Sequence, residues 1–150
     1  MYIIFTPSGG VSPMTAKEFL SQAYRIDKRI NSKIDQVASL RDLLYKATSV
    51  LSELPPETSG KHSKENIIAK MIDLEIEICT DIDYLIDIKT SVLHSIKSLE
   101  NIDCQMVLEA RYLCFKPWDQ IASEMQCGID NVYRLHKKGL KKIQISEIVQ

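Results

Sequence analysis

At 150 residues the chain has room for one ordinary domain, or for a small domain with an extension. Its 45% hydrophobic and 26% charged residues are those of a globular chain, and a formal net charge of -1 excludes a polycation, so affinity for nucleic acid requires local segregation of charge. No apolar run reaches the length of a membrane span. Cys79, Cys104, Cys114 and Cys127 show neither CxxC nor paired Cys/His spacing, so they read as buried, reduced thiols on apolar helical positions, with no metal and no cofactor.

Residues 1–13 do not share the helical periodicity of the rest of the chain. Pro7, Gly9, Gly10 and Pro13 break any regular pattern, and the apolar start is too short and wrongly flanked for a signal peptide. They are expected to be a loose or non-native tail, with Met14 as the native opening. Thr15 can cap a helix, with Glu18 three residues on as its capping-box partner.

From Ala16 to Leu54 the pattern is helical. Phe19, Ala23, Ile26, Ile30, Val37, Leu40, Leu44, Ala47, Leu51 and Leu54 form a heptad seam that only Lys33 interrupts. Forty helical residues extend about 60 Å, so this seam must face another helix. The polar loop from Pro55 to Gly60 ends it, and Ser63 can cap a second helix running from about Lys64 to Leu99. The second seam is read as Ile68, Met71, Ile78, Ile82, Leu85, Val92, Ile96 and Leu99, with Glu75 and Lys89 as polar exceptions. A further row (Ile72, Cys79, Ile86 and Leu93) lies beside it, and Ile67, Leu74, Ile76 and Ile88 widen the stripe. A helix this apolar is usually covered on more than one side. Residues 14–99 therefore read as a long antiparallel, coiled-coil-like hairpin whose second face meets either the C-terminal domain or another copy of the chain, with homodimerisation through the hairpin as the expectation.

Residues 100–146 read as a separate small domain. Asn101 or Asp103 can cap a helix running to about Phe115, with Met106, Val107, Ala110, Leu113 and Cys114 inward. Pro117 suits the first turn of the next helix, Trp118 to Met125, and Trp118 is expected to pack between helices. After Gln126-Cys127-Gly128 another helix runs from Ile129 past Leu140. Ile121, Ala122, Met125, Cys127, Val132, Leu135 and Leu140 fall on the inward offsets of a helix-turn-helix. The second helix of the pair exposes Asp130, Asn131, Tyr133, Arg134, Lys137, Lys138 and Lys141, and no acidic residue occurs from Asn131 to Ser146. Asn131 and Arg134 are the candidate base readers. Tyr133, Lys137, Lys138, Lys141 and Lys142 are the candidate phosphate contacts. The competing reading is a small three-helix bundle with a solvated basic face.

The segment Leu108 to Ile143 resembles region four of bacterial sigma factors, through Arg111-Tyr112, Gln120-Ile121-Ala122, Val132 and Gly139-Leu140-Lys141-Lys142-Ile143. The whole stretch from Met14 to Ile143 is similar to a family of small phage and prophage proteins of Gram-positive bacteria. The matching parts are Asp27 to Ile30, the Pro-containing loop Leu54 to Thr58, Ile67 to Glu75 and the C-terminal unit. That resemblance implies an all-α fold and a DNA-binding transcriptional regulator of late phage genes, working in the bacterial cytoplasm on double-stranded DNA. The family usually has Gly-aromatic-Ser in the turn where this chain has Gln126-Cys127-Gly128. A residue such as Gln126 with positive φ would cost about 1 kcal/mol, and Gly128 is a weaker cap than Ser.

Two other classes remain open: a small terminase-like DNA-packaging subunit, and a module that binds RNA polymerase. An enzyme is not expected, because His62, His94 and His136 have no convergent carboxylate or nucleophile. Asp81, Asp83 and Asp87 lack the spacing of a calcium loop and read as a solvated helix face.

Overall fold

The computed structural model describes residues 3–5, 11–51 and 61–145, with side chains over 14–49 and 64–145. Five helices dominate: α1 (Ala16–Leu51), α2 (Lys61–Lys97), α3 (Ile102–Tyr112), α4 (Trp118–Glu124) and α5 (Ile129–Lys142). The expected all-α class and the pairing of the two long helices both hold. Where a loose tail was expected, β1 (Ile3–Phe5) and β2 (Val11–Pro13) form a short antiparallel ribbon, with Ile4 opposite Ser12. Its residues Ile3, Ile4, Phe5 and Val11 are types that favour extended backbone. The chain divides into two compact units, residues 27–84 and residues 1–26 with 85–150, so the boundaries fall inside the long helices rather than after Leu99.

The first helix opens as its sequence dictates. The Glu18 carboxylate accepts from the Thr15 backbone N–H and hydroxyl, both at 2.8 Å, and the Thr15 hydroxyl accepts from the Glu18 N–H at 3.2 Å. This reciprocal capping box holds the Glu18 carboxyl below its ordinary range, first through the Thr15 backbone N–H. Phe19, Ala23, Ile26, Ile30 and Val37 are buried, and Leu40, Leu44 and Ala47 half-buried, as the heptad requires. The expected positions Leu51 and Leu54 lie outside the described side chains. So does that of Ser63, although α2 already begins at Lys61 and Ser63 is therefore not its cap.

In the unit formed by residues 27–84, α1 and α2 run antiparallel, since Arg29 pairs with Asp81 and Lys33 reaches back to Glu77. The expected seam of α2 holds at Met71, Ile78, Leu85, Val92, Ile96 and Leu99 and fails at Ile68 and Ile82. Leu74 and Asp81 are buried and Ile67, Met71 and Ile78 half-buried, while Ile68 and Ile82 are exposed. Beyond residue 84 the inward positions are Leu85, Ile88, Val92, Ser95, Ile96 and Leu99; Lys89 is half-buried and Ser95 is the buried polar member. The physical cause is a charge across the seam. Lys33, the one interruption in α1, donates to Asp81 at 2.7 Å and lies 3.0 Å from Glu77, while Arg29 adds bonds of 2.6 and 3.2 Å to Asp81. The bond to Lys33 chiefly holds the Asp81 carboxyl below its ordinary range, and the same bond raises Lys33. Asp81 is thus a core residue with two cationic partners. It does not belong to the solvated face, to which only Asp83 and Asp87 conform.

In the other unit, α3, α4 and α5 pack on one another. Asn101 caps α3 by accepting from the Cys104 N–H at 2.9 Å. The inward face of α3 is Cys104, Val107, Leu108 and Tyr112. Of the five expected residues only Val107 is fully buried; Ala110 and Leu113 are half-buried, and Met106 and Cys114 are exposed. The helix ends three residues earlier than expected, because Phe115 turns the backbone to φ 57°. Lys116 N–H then closes onto the Ala110 carbonyl. The four thiols are free, but only Cys104 is buried; Cys127 is half-buried and Cys79 and Cys114 are exposed.

Candidate nucleic-acid interface

The turn between α4 and α5 reproduces the helix-turn-helix offsets. Ile121, Ala122, Val132 and Leu135 are buried, and Met125, Cys127 and Leu140 half-buried. Trp118 is half-buried among its neighbours, as expected. Gln126 takes φ 52°, the left-handed conformation that its position in the turn demands. Its N–H donates to the Ser123 carbonyl and that of Cys127 to the Ala122 carbonyl, both at 3.1 Å, which satisfies the end of α4. Gly128 is the N-cap of α5 and offers no side-chain bond. Pro117 stands just ahead of α4 as its N-cap, where its missing N–H removes nothing.

The orientation of α5 is set by Gly139, the first residue of the Gly139-to-Ile143 motif. Gly139 is buried, and a Cβ placed on it would lie 2.9 Å from Leu108 Cδ1 and 3.4 Å from the Cys104 Cβ. Its missing side chain lets α5 approach α3, which turns the opposite side of α5 outward. Arg134, Lys137, Lys138 and Lys141 share that outward stripe at i, i+3, i+4 and i+7 spacing, with Lys142 beside it, and all five are exposed. Among the described residues no carboxylate pairs with any of them. Asp130, at the first turn, is the acidic member of this side of the helix.

The two expected base readers are brought together. Arg134 donates from Nε at 3.1 Å and from Nη2 at 2.6 Å to the Asn131 side-chain oxygen. One edge of the guanidinium is therefore held by its own helix. Its other edge, Nη1–H and the second Nη2–H, keeps the two-donor geometry that matches adjacent acceptors such as guanine O6 and N7. Asn131 is half-buried and acts mainly on Arg134.

The flank of α5 is stiffened by aromatic contacts. Trp118 lies 5.2 Å from Tyr133 and 4.8 Å from His136, between ring centroids, and the Arg111 guanidinium sits 4.5 Å over its ring. His136 shares a 2.7 Å hydrogen bond with the Tyr112 hydroxyl and stacks on that ring. Burial, and then the nearby charges of Lys17 and Arg111, push the His136 imidazole down to about 4, so it is neutral near pH 7. Burial raises the Tyr112 phenol. Tyr133, beside Trp118, keeps 44% of its surface exposed. Nothing local in the sequence joins His136 to Tyr112, because 24 residues separate them.

Among the described residues no group of three His, Cys, Asp or Glu side chains converges as a metal site, and no helix is long and apolar enough to cross a membrane. No protein-family model matches the chain, and no curated protein or solved structure matches it either.

Proposed function

We propose that this chain is a phage- or prophage-encoded, sigma-region-four-like DNA-binding regulator of transcription, acting on late genes. The observation that carries the reading is the outward stripe of Arg134, Lys137, Lys138 and Lys141, unpaired with acid among the described residues and mounted on a helix-turn-helix. In this reading α5 enters a major groove. Arg134, steadied by Asn131, reads a base edge, while Tyr133, Lys137, Lys138, Lys141 and Lys142 meet phosphates. The altered turn is compatible with it, because Gln126 adopts the required left-handed φ.

We also propose that two copies associate through the hairpin. Ile34 of α1 and Ile68, Ile72, Ile76 and Ile82 of α2 are all exposed. Ile68, Ile72, Cys79 and Ile82 repeat at heptad spacing, which suits another helix as occupant, and a second copy supplies two heads for a two-fold DNA site. Selection from random duplex DNA with the full chain at fixed salt, combined with light scattering at micromolar concentration, tests both readings. A defined two-half-site sequence and a dimeric mass are expected. Failure to enrich any sequence would overturn DNA recognition, and a monomeric mass would overturn the dimer. Ile72→Lys should give a monomer of unchanged helicity.

A further inference from the structure

The contacts that stiffen the small domain also border a cleft that the DNA reading does not use. A cavity of about 290 Å³ is lined by Ser21, Tyr24, Arg111, Tyr112, Phe115 and Pro117. Its walls combine the rings of Tyr24, Tyr112, Phe115 and Pro117 with the polar side chains of Ser21 and Arg111. Tyr24 and Phe115 meet edge to face with centroids 5.4 Å apart, and the unusual φ of 57° at Phe115 is what brings that ring to the cleft. No carboxylate belongs to this lining. Cations do surround it: Arg111 is a wall, Lys89 Nζ stands 5.0 Å over the Phe115 ring, and Lys17 precedes Ser21 by one helical turn. None of these three has an ion-pair partner among the described residues. Arg111 gives one N–H to the Lys116 carbonyl at 3.0 Å and its face to Trp118, which leaves further donors on the guanidinium. A half-buried arginine without a counter-ion, next to a ring-lined space, is chemically matched to a planar ring bearing a carboxylate.

We propose that this cleft is a binding site for a small aromatic carboxylate, with its ring among Tyr24, Phe115 and Pro117 and its carboxylate on Arg111. The Ser21 hydroxyl donates to the Lys17 carbonyl at 2.7 Å, so its proton is held by its own helix and the carboxylate contact falls to Arg111. The site adjoins both helices of the helix-turn-helix, since Arg111 covers Trp118 of α4 and Tyr112 bonds His136 of α5. It does not depend on the DNA reading, and its test contains no DNA.

The test is an NMR titration of the full chain with benzoate, with benzyl alcohol and acetate as single-feature controls. Benzoate is expected to shift Tyr24, Phe115 and Arg111 resonances saturably and to bind at least about tenfold more tightly than either control. Arg111→Gln should bring benzoate down to the level of benzyl alcohol. Should that variant unfold, Ser21→Leu fills the cleft from a half-buried position on α1 and should abolish the shifts. Equal affinity for benzoate and benzyl alcohol, or benzoate binding that survives Ser21→Leu, would overturn the proposal.

Discussion

Arg134 and Lys138 are one turn apart on α5 and both are exposed, and the proposed DNA-binding function gives them different work. Arg134 is oriented by Asn131, whereas Lys138 is a mobile point charge on a flexible stem. Arg134→Ala should therefore weaken binding to a selected site by roughly 1–3 kcal/mol and leave random DNA nearly unaffected. Lys138→Ala should lower affinity for all duplexes and reduce the salt slope by about one. Anisotropy titrations at several salt concentrations separate the two, and equal losses on both kinds of DNA for both variants would contradict the division. His136 makes a prediction of another kind. Its folded value of about 4 lies below the 6.5 of a free imidazole, so the unfolded chain takes up its proton first as the pH falls. The stability tied to neutral His136 is intact above about 6.5 and lost progressively between there and about 4. Urea midpoints at pH 7 and pH 4.5 should differ less for His136→Gln than for the parent chain.

At the scale of elements, the two glycines of α5 are opposites. A Cβ on Gly128 would meet nothing within 4 Å, and its φ of -70° is open to any residue. Gly128→Ser supplies the missing cap acceptor and stiffens the unfolded chain, so a gain of about 0.5–1 kcal/mol is expected in denaturant unfolding. Gly139→Ala improves helix propensity by about 1 kcal/mol but forces a methyl against fully buried Leu108. Overpacking of roughly 1–3 kcal/mol outweighs that gain, and the net change should be destabilising. Stabilisation by Gly139→Ala would mean that α3 and α5 can separate freely. These two positions look alike in the sequence. Only the distance between α3 and α5 distinguishes a cap from a point of helix contact.

At the scale of the whole molecule, the hairpin register rests on a polar layer. Lys33 and Asp81 occupy facing core positions with side-chain exposures of 17% and 10%, and Arg29 and Glu77 complete the set. An apolar pair would allow the helices to slide by a heptad, whereas a charge left facing leucine would not tolerate it. Asp81→Leu alone removes the acid that Lys33 and Arg29 share, leaves Lys33 only the exposed Glu77, and should lower the melting temperature. Lys33→Leu with Asp81→Leu should recover it, at the cost of a defined register that cysteine cross-linking across the hairpin would reveal. A double variant no more stable than Asp81→Leu would show that the layer has no such role.

The periodic part of this architecture was legible from residue order alone: the two long helices, the Thr15–Glu18 box, the Asn101 cap and the spacing around Ala122 are local, within one or two turns of backbone. The outward stripe of α5 was legible for the same reason, because five cations between Arg134 and Lys142, with no acid among them, can occupy only the wet side of an amphipathic helix. The true seam of α2 was not. Its Ile68 and Ile82 are as apolar as Ile67 and Leu74, and the choice between them fell to Asp81, a residue that hydrophobic patterning assigns to water. Lys33, 48 positions away, made it a core residue. Gly139 against Leu108, and Tyr112 against His136, belong to the same class. Charge pairing, close approach and shared burial depend on what stands opposite, and that is decided only when distant segments meet.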